Sequence, residues 1–362
     1  MNNEQVEDKT SQGLVSVINK LMLVIFILVL GLVAIPVTLY FGNKPASLKE
    51  EKSSVVSPVA EVKKDATVYW IAPDPAGIAD ANKKAVVEYG KELIAHTSKY
   101  FGPNGTVAKI SNGLNCQNCH LDAGTKVWGN NYGSVASLYP KFRARSGAVE
   151  NIYKRVNDCF ERSLNGKAID TAGKEMQAIV AYINFLGTNV DKGKKAEGSG
   201  FKELDYLSRA ADPEQGKIVY MSKCKSCHQE NGEGLLNTDQ TEYTFPALWG
   251  KNSYNDGAGL FRLSNFAKYV KNNMPQGVNY ENPQLTDEEA WDVAAFVNSQ
   301  SRPHINVPKD WPDKAKKPVD HPFGPYTDKF SEKQHKYGPY KPIADELKKL
   351  ETTAKAVVKN NK

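Results

Sequence analysis

Two pentapeptides of the form C-x-x-C-H, CQNCH at 116–120 and CKSCH at 224–228, constrain this chain more than any other feature in it. Two thiols three positions apart on one helical turn meet the two vinyl groups of a haem, and the adjacent histidine turns its imidazole to the iron. The pattern is the attachment signal of c-type haem. A single C-x-x-C reads equally as a redox or zinc pair. Two copies that both end in histidine, with no other thiol cluster, read as two covalently bound haem c groups on Cys116, Cys119, Cys224 and Cys227. His120 and His228 are then iron ligands.

The surroundings of the motifs repeat as well. A helical pattern with a glycine precedes each one, EYGKELIAHTSKYFG around Gly90 and EQGKIVYMSKC around Gly216. An apolar helix ending in aromatics follows each, EMQAIVAYINFL (175–186) and LTDEEAWDVAAFVNS (285–299). The second of these opens with Thr286 and Glu289, a capping box. The predicted fold is all-α: two class I cytochrome c-like domains in tandem, at 80–188 and 189–302. In each, the first and last helices cross with a glycine against an aromatic, Gly90 near Tyr182 and Gly216 near Phe296. Residues 187–212, with DKGKKAEGSG, read as the linker.

Ahead of the domains, LMLVIFILVLGLVAIPVTLYF (21–41) is 21 residues without a charge. At 1.5 Å per residue it spans roughly 30 Å, the thickness of a bilayer core. The apolar core of a cleavable signal is shorter, about 7–15 residues, and no small-residue cleavage site follows. We therefore expect an uncleaved transmembrane anchor, with 1–20 in the cytoplasm and 42–79 as a flexible tether. Because c-type haem is attached outside the cytoplasm, the haem domains should face the periplasm from the inner membrane. The net charge of +6 is mild and owes much to lysines in the tail, so no nucleic-acid partner is expected.

Each iron needs a sixth ligand or an open position. In the second half Met274 lies in NNMPQG, where the following proline keeps it out of a helix; methionine ligation raises a haem's potential. In the first half Met176 and Cys159 compete. Met274 precedes Phe296 by 22 residues and Cys159 precedes Tyr182 by 23, so the repeat puts Cys159 at the ligand position. Met176, inside the last helix, reads as core. The plain alternative for Cys159 is a buried free thiol.

Arg155, Cys159 and Ser163 fall at i, i+4 and i+8 of a helix expected over about 148–164, on one face. Arg145 stands upstream in YPKFRARSG, and Arg162 reads as a solvent-facing partner of Glu161 or Asp158. Arginine presents fixed donors and a permanent charge, which suits oxyanions. A face with arginines, a hydroxyl and a thiol at an iron fits a small sulfur oxyanion. Joining two thiosulfates costs roughly 4 kcal/mol of dianion repulsion at about 4 Å in water. A thiolate able to form a mixed sulfur–sulfur bond would divide such a reaction into two steps.

The segments SNGLNCQNCHLDAGTK, YPKFRARSGAVENIYKRVNDCFERSLNG, NNMPQG and KPVDHPFGPYTDKFSEKQHKYGPYKPI resemble the dihaem thiosulfate dehydrogenases, which interconvert thiosulfate and tetrathionate. The resemblance runs from Asp80 to Ile343. It implies that His120 and Cys159 ligate the active-site haem, that Arg145, Arg155 and Ser163 line its substrate pocket, and that Met274 is the distal ligand of an electron-passing haem. Some members place a lysine beside that methionine; here the neighbour is Asn273. A cytochrome or a membrane-bound carrier would take the electrons. Three other functions compete: a tethered electron-transfer cytochrome without its own substrate, a cytochrome that conjugates thiosulfate to a carrier protein, and a dihaem peroxidase. From Pro303 the chain is proline-rich and should lie extended over the domains, with His321 and His335 as packing or surface residues. A terminal helix is expected over 343–359.

Overall fold

The structure, a computed structural model, describes residues 67–360 and, nearer the N-terminus, 17, 19–26 and 28. Its longer helices are α1 (Ala81–Ala95), α2 (Ile152–Arg162), α3 (Lys174–Leu186), α4 (Pro213–Lys223), α5 (Leu263–Asn273) and α6 (Asp287–Ser299), followed in the tail by α7 (Glu332–Tyr337) and α8 (Lys341–Asn360). Caps legible in the sequence start them. Asp80 accepts from the Lys83 amide at α1, Asp212 precedes Pro213 at α4, and Thr286 and Glu289 cap each other's backbone at α6.

Each half closes on its glycine. A Cβ on Gly90 would stand 2.0 Å from the Ala178 carbonyl oxygen and 2.8 Å from Tyr182 Cβ; one on Gly216 would stand 1.8 Å from the Asp292 oxygen and 2.9 Å from Phe296 Cβ. Backbone therefore lies on backbone where α1 crosses α3 and where α4 crosses α6, as the repeat predicts. The first core gathers Leu93, Ile94, Phe101, Phe160, Met176 and Tyr182; the second gathers Tyr220, Phe266, Trp291 and Ala294. Met176 is fully buried and serves as core.

Several expectations need correction. The fold is mostly helical, yet β1 (Lys141–Arg143) pairs with β2 (Ala148–Glu150) and β3 (Leu235–Leu236) with β4 (Tyr243–Phe245), both antiparallel. The expected tether to residue 79 ends sooner, because Trp70 is buried in the first core and its Nε1 donates to Asn189. The linker packs back on the first domain: Ser199 donates to Asn131, and Ala196 is buried. The tail is only partly extended, since α7 and α8 lie within it and Ile343 is fully buried in the second core. The apolar run 21–41 falls largely outside the described residues; those at 19–26 are helical and exposed, and no helix among the described residues is long and apolar enough to cross a membrane. Residues 1–65 separate as a unit of their own from 66–362.

Candidate active site

A cavity opens beside each C-x-x-C-H motif. The first, of about 190 Å³, is lined by Cys116, Cys119, His120, Arg155, Cys159 and Ser163 among apolar neighbours. The second, of about 310 Å³, is lined by Cys224, Cys227, His228 and Met274. Packed interiors leave few voids larger than a water, and a water takes only about 30 Å³. Both spaces therefore suit a large apolar group held where the thiols and imidazole converge.

The histidines are prepared for a metal. His120 Nδ1 lies 2.6 Å from the Asn130 carbonyl oxygen, and His228 Nδ1 lies 2.8 Å from that of Pro246. A carbonyl can only accept, so Nδ1 carries the proton and Nε2 keeps its lone pair. Burial pushes the His120 imidazole down to about 4 and lowers His228 too, which keeps both rings neutral. Tyr132 stacks on the His120 ring, with centroids 4.5 Å apart. Burial also pushes Cys116 and Cys119 up to about 12 and Cys224 to about 11. Such surroundings disfavour a thiolate and accommodate an uncharged thioether. The residues present fit haem at both sites.

Above the first cavity the helix begins later than expected. Residues 148–150 are drawn into the hairpin, and Asn151 caps α2 by accepting from the Lys154 amide at 2.9 Å. The spacing nonetheless sets Arg155, Cys159 and Ser163 on the cavity wall. Arg155 makes no side-chain hydrogen bond or ion pair among the described residues. Its guanidinium is held above its ordinary value, chiefly by the charge of neighbouring Cys159 and against burial.

Arg145 stands elsewhere. It does not line the cavity, and its Nη2 donates to Asp158 Oδ2 at 2.7 Å. Asp158 is buried and also receives Lys154. Burial opposes its charge, but Lys154, Arg145 and Arg155 outweigh burial and hold the carboxyl below its usual range. Arg162 is not the solvent-facing residue expected. It is 8% exposed, reaching Asp310 at 2.9 Å, because the tail folds across the end of α2.

Comparison with known proteins agrees with this geometry. The SoxA/TsdA cytochrome c domain family matches residues 106–190 and the cytochrome c family matches 213–301. A thiosulfate dehydrogenase of Psychrobacter arcticus is 38% identical over 67% of this chain and 71% of its own length. The chain belongs to the thiosulfate dehydrogenase family. A thiosulfate dehydrogenase of Allochromatium vinosum is 34% identical over 69% of this chain and 90% of its own. The solved structure of thiosulfate dehydrogenase (TsdBA) from Marichromatium purpuratum superposes with a TM-score of 0.60 at 30% identity. That match covers 65% of this chain and half of the other.

As a member of the thiosulfate dehydrogenase family, the protein is an oxidoreductase with two covalently bound haem c groups. Of the expected site residues, the structure brings His120, Cys159, Arg155 and Ser163 to one cavity and His228 and Met274 to the other, while Arg145 stands behind the first. His321 and His335 line neither; His335 is buried against Tyr326, with ring centroids 3.7 Å apart. The sequence reading missed Tyr132 and Asp310, and offered Asp158 to Arg162 where the structure gives it to Arg145. Asp158 carried a signal, four residues after Lys154 and beside Cys159; Asp310 carried none, since its partner is 148 positions away.

Proposed function

We propose that this protein oxidises thiosulfate at the first haem site, joining two molecules through sulfur as tetrathionate, with electrons leaving by way of the second. Arg155 carries the reading: an arginine without a carboxylate partner, on the wall of a cavity that also holds a cysteine outside the attachment motifs. A guanidinium so placed awaits an anion. That homologues bear the name thiosulfate dehydrogenase favours thiosulfate as that anion.

Haem, when attached, would supply one-electron acceptors, and His120 with Cys159 would hold the first and His228 with Met274 the second. Arg155 grips the sulfonate end of thiosulfate and Ser163 offers its hydroxyl. Arg145, neutralised in part by Asp158, adds positive potential from behind. The Cys159 sulfur then bonds to the terminal sulfur of one thiosulfate, and two electrons depart. A second thiosulfate attacks that terminal sulfur, the bond to Cys159 breaks, and tetrathionate leaves with Cys159 restored as thiolate; this exchange is redox-neutral. The reverse sequence reduces tetrathionate.

The uncharged run 21–41 supports an inner-membrane anchor with both domains in the periplasm, and a cytochrome or membrane-bound carrier as the electron partner. The test of the chemistry is thiosulfate-dependent reduction of an artificial acceptor, with Cys159→Ala run alongside and haem content verified. Turnover to tetrathionate in the parent, lost in a haem-loaded variant, is the expected result. If neither protein responds although both carry two haems, the chain is an electron wire without a substrate.

A further inference from the structure

The two cavities share a wall. Leu114, Asn115 and Cys119 line both, and the shared wall comes entirely from the first domain's attachment segment. Cys119 and Leu121 pack against the second core. The arrangement is one-sided: Cys224 and Cys227 line only their own cavity. The first haem is thus attached through a cysteine that faces the second site, and the second is not attached in the reciprocal way.

One side chain ties this wall to the second domain. Tyr269, on α5, is 4% exposed, and its hydroxyl donates to the carbonyl oxygen of Asn118 at 2.6 Å, immediately before Cys119. The same helix ends at Met274, which caps its C-terminus. One rigid element therefore reaches the attachment loop of one haem and the distal ligand position of the other.

We propose that Tyr269 is a positioning residue for electron passage between the haem sites, clamping the Cys116–His120 segment against the second cavity. The inference rests on the reading of two haems acting in series. The passage would oxidise the first haem site by one electron and reduce the second by one, with no atom or proton moved, and Tyr269 would keep its hydrogen throughout.

The experiment injects a single electron photochemically into the fully haem-loaded protein and follows its redistribution through the distinct absorption of the two haems. Tyr269→Phe removes one oxygen and leaves the ring packed. Tyr182→Phe is the control: its hydroxyl also donates to a backbone oxygen near the first motif, Ala123 at 3.0 Å, but Tyr182 lines neither cavity. Redistribution should slow on the order of tenfold in Tyr269→Phe, the scale of a lost outer-shell contact, with equilibrium potentials and haem content unchanged and the control at the parent rate. An unchanged rate in Tyr269→Phe, or equal slowing in both variants, overturns the proposal. Absence of redistribution in the parent instead overturns the series reading itself.

Discussion

Arg155 and Cys159 stand one helical turn apart on the same cavity wall, and the arginine, without an ion-pair partner among the described residues, is free to meet an anion there. Other arginines nearby are committed, Arg145 to Asp158 and Arg162 to Asp310. Replacing Arg155 with Gln should lower kcat/KM for thiosulfate about 10²-fold, the scale of losing one preorganised donor at developing charge. Arg155→Lys should recover only part, since an ammonium lacks the planar fork. Steady-state kinetics on haem-loaded variants checks both.

The tail is held to the second domain by a buried carboxylate. Asp320, 1% exposed, receives Arg262 through Nη2 at 2.6 Å and Nε at 2.8 Å, and the Ser264 amide at 3.0 Å. Burial opposes its charge, but Arg262 and Ser264 outweigh burial and hold the carboxyl below its ordinary value. The stabilisation is thus fully present above the unfolded value of about 3.9 and is lost as pH falls through the lower folded value. Asp320→Asn should cost about 3 kcal/mol near neutral pH. The parent's thermal midpoint should fall more steeply than the variant's as the solution is acidified below pH ~4.

Gly216→Ala tests the helix crossing of the second domain. The added methyl would stand 1.8 Å from a backbone oxygen, so the helices must part. Overpacking of this kind costs typically 1–3 kcal/mol and occasionally more. Denaturant unfolding should show that loss, and Lys217→Ala next to it, exposed on the same helix, should shift stability by less than about 0.5 kcal/mol.

Met274 lines the second cavity as Cys159 lines the first. Methionine ligation raises a haem's potential. Met274→His should therefore lower the potential of the second haem and slow delivery of electrons to an acceptor, while the first haem's spectrum stays as it was. A potentiometric titration resolves the two.

What could be read in the sequence was what local rules specify. The attachment motifs carry their own chemistry, and the glycine–aromatic crossings follow from the repeat; of the two residues weighed in the first half, Cys159 lines the cavity and Met176 does not. What escaped depended on distant partners. Nothing in Arg162 announces that Asp310 will bury it, and Arg145 looks like a pocket residue until Asp158 is seen to hold it. The start of α2 was misplaced for a related reason: Ala148, Val149 and Glu150 have helical company on one side, but a strand partner at 141–143 takes them.

The tail's contacts bear on how the protein is made. The Trp311 amide donates to the Arg145 carbonyl at 2.6 Å, Asp310 engages Arg162, and Ile343 completes the second core. Asp310, Trp311 and Ile343 all follow both C-x-x-C-H motifs in the chain. Since domains fold as they emerge, there is an interval in which both pairs of thiols are present and the strap across the first domain and the plug of the second are not. Haem attached outside the cytoplasm before that segment has docked would meet an open chain, which the C-terminal segment would then close.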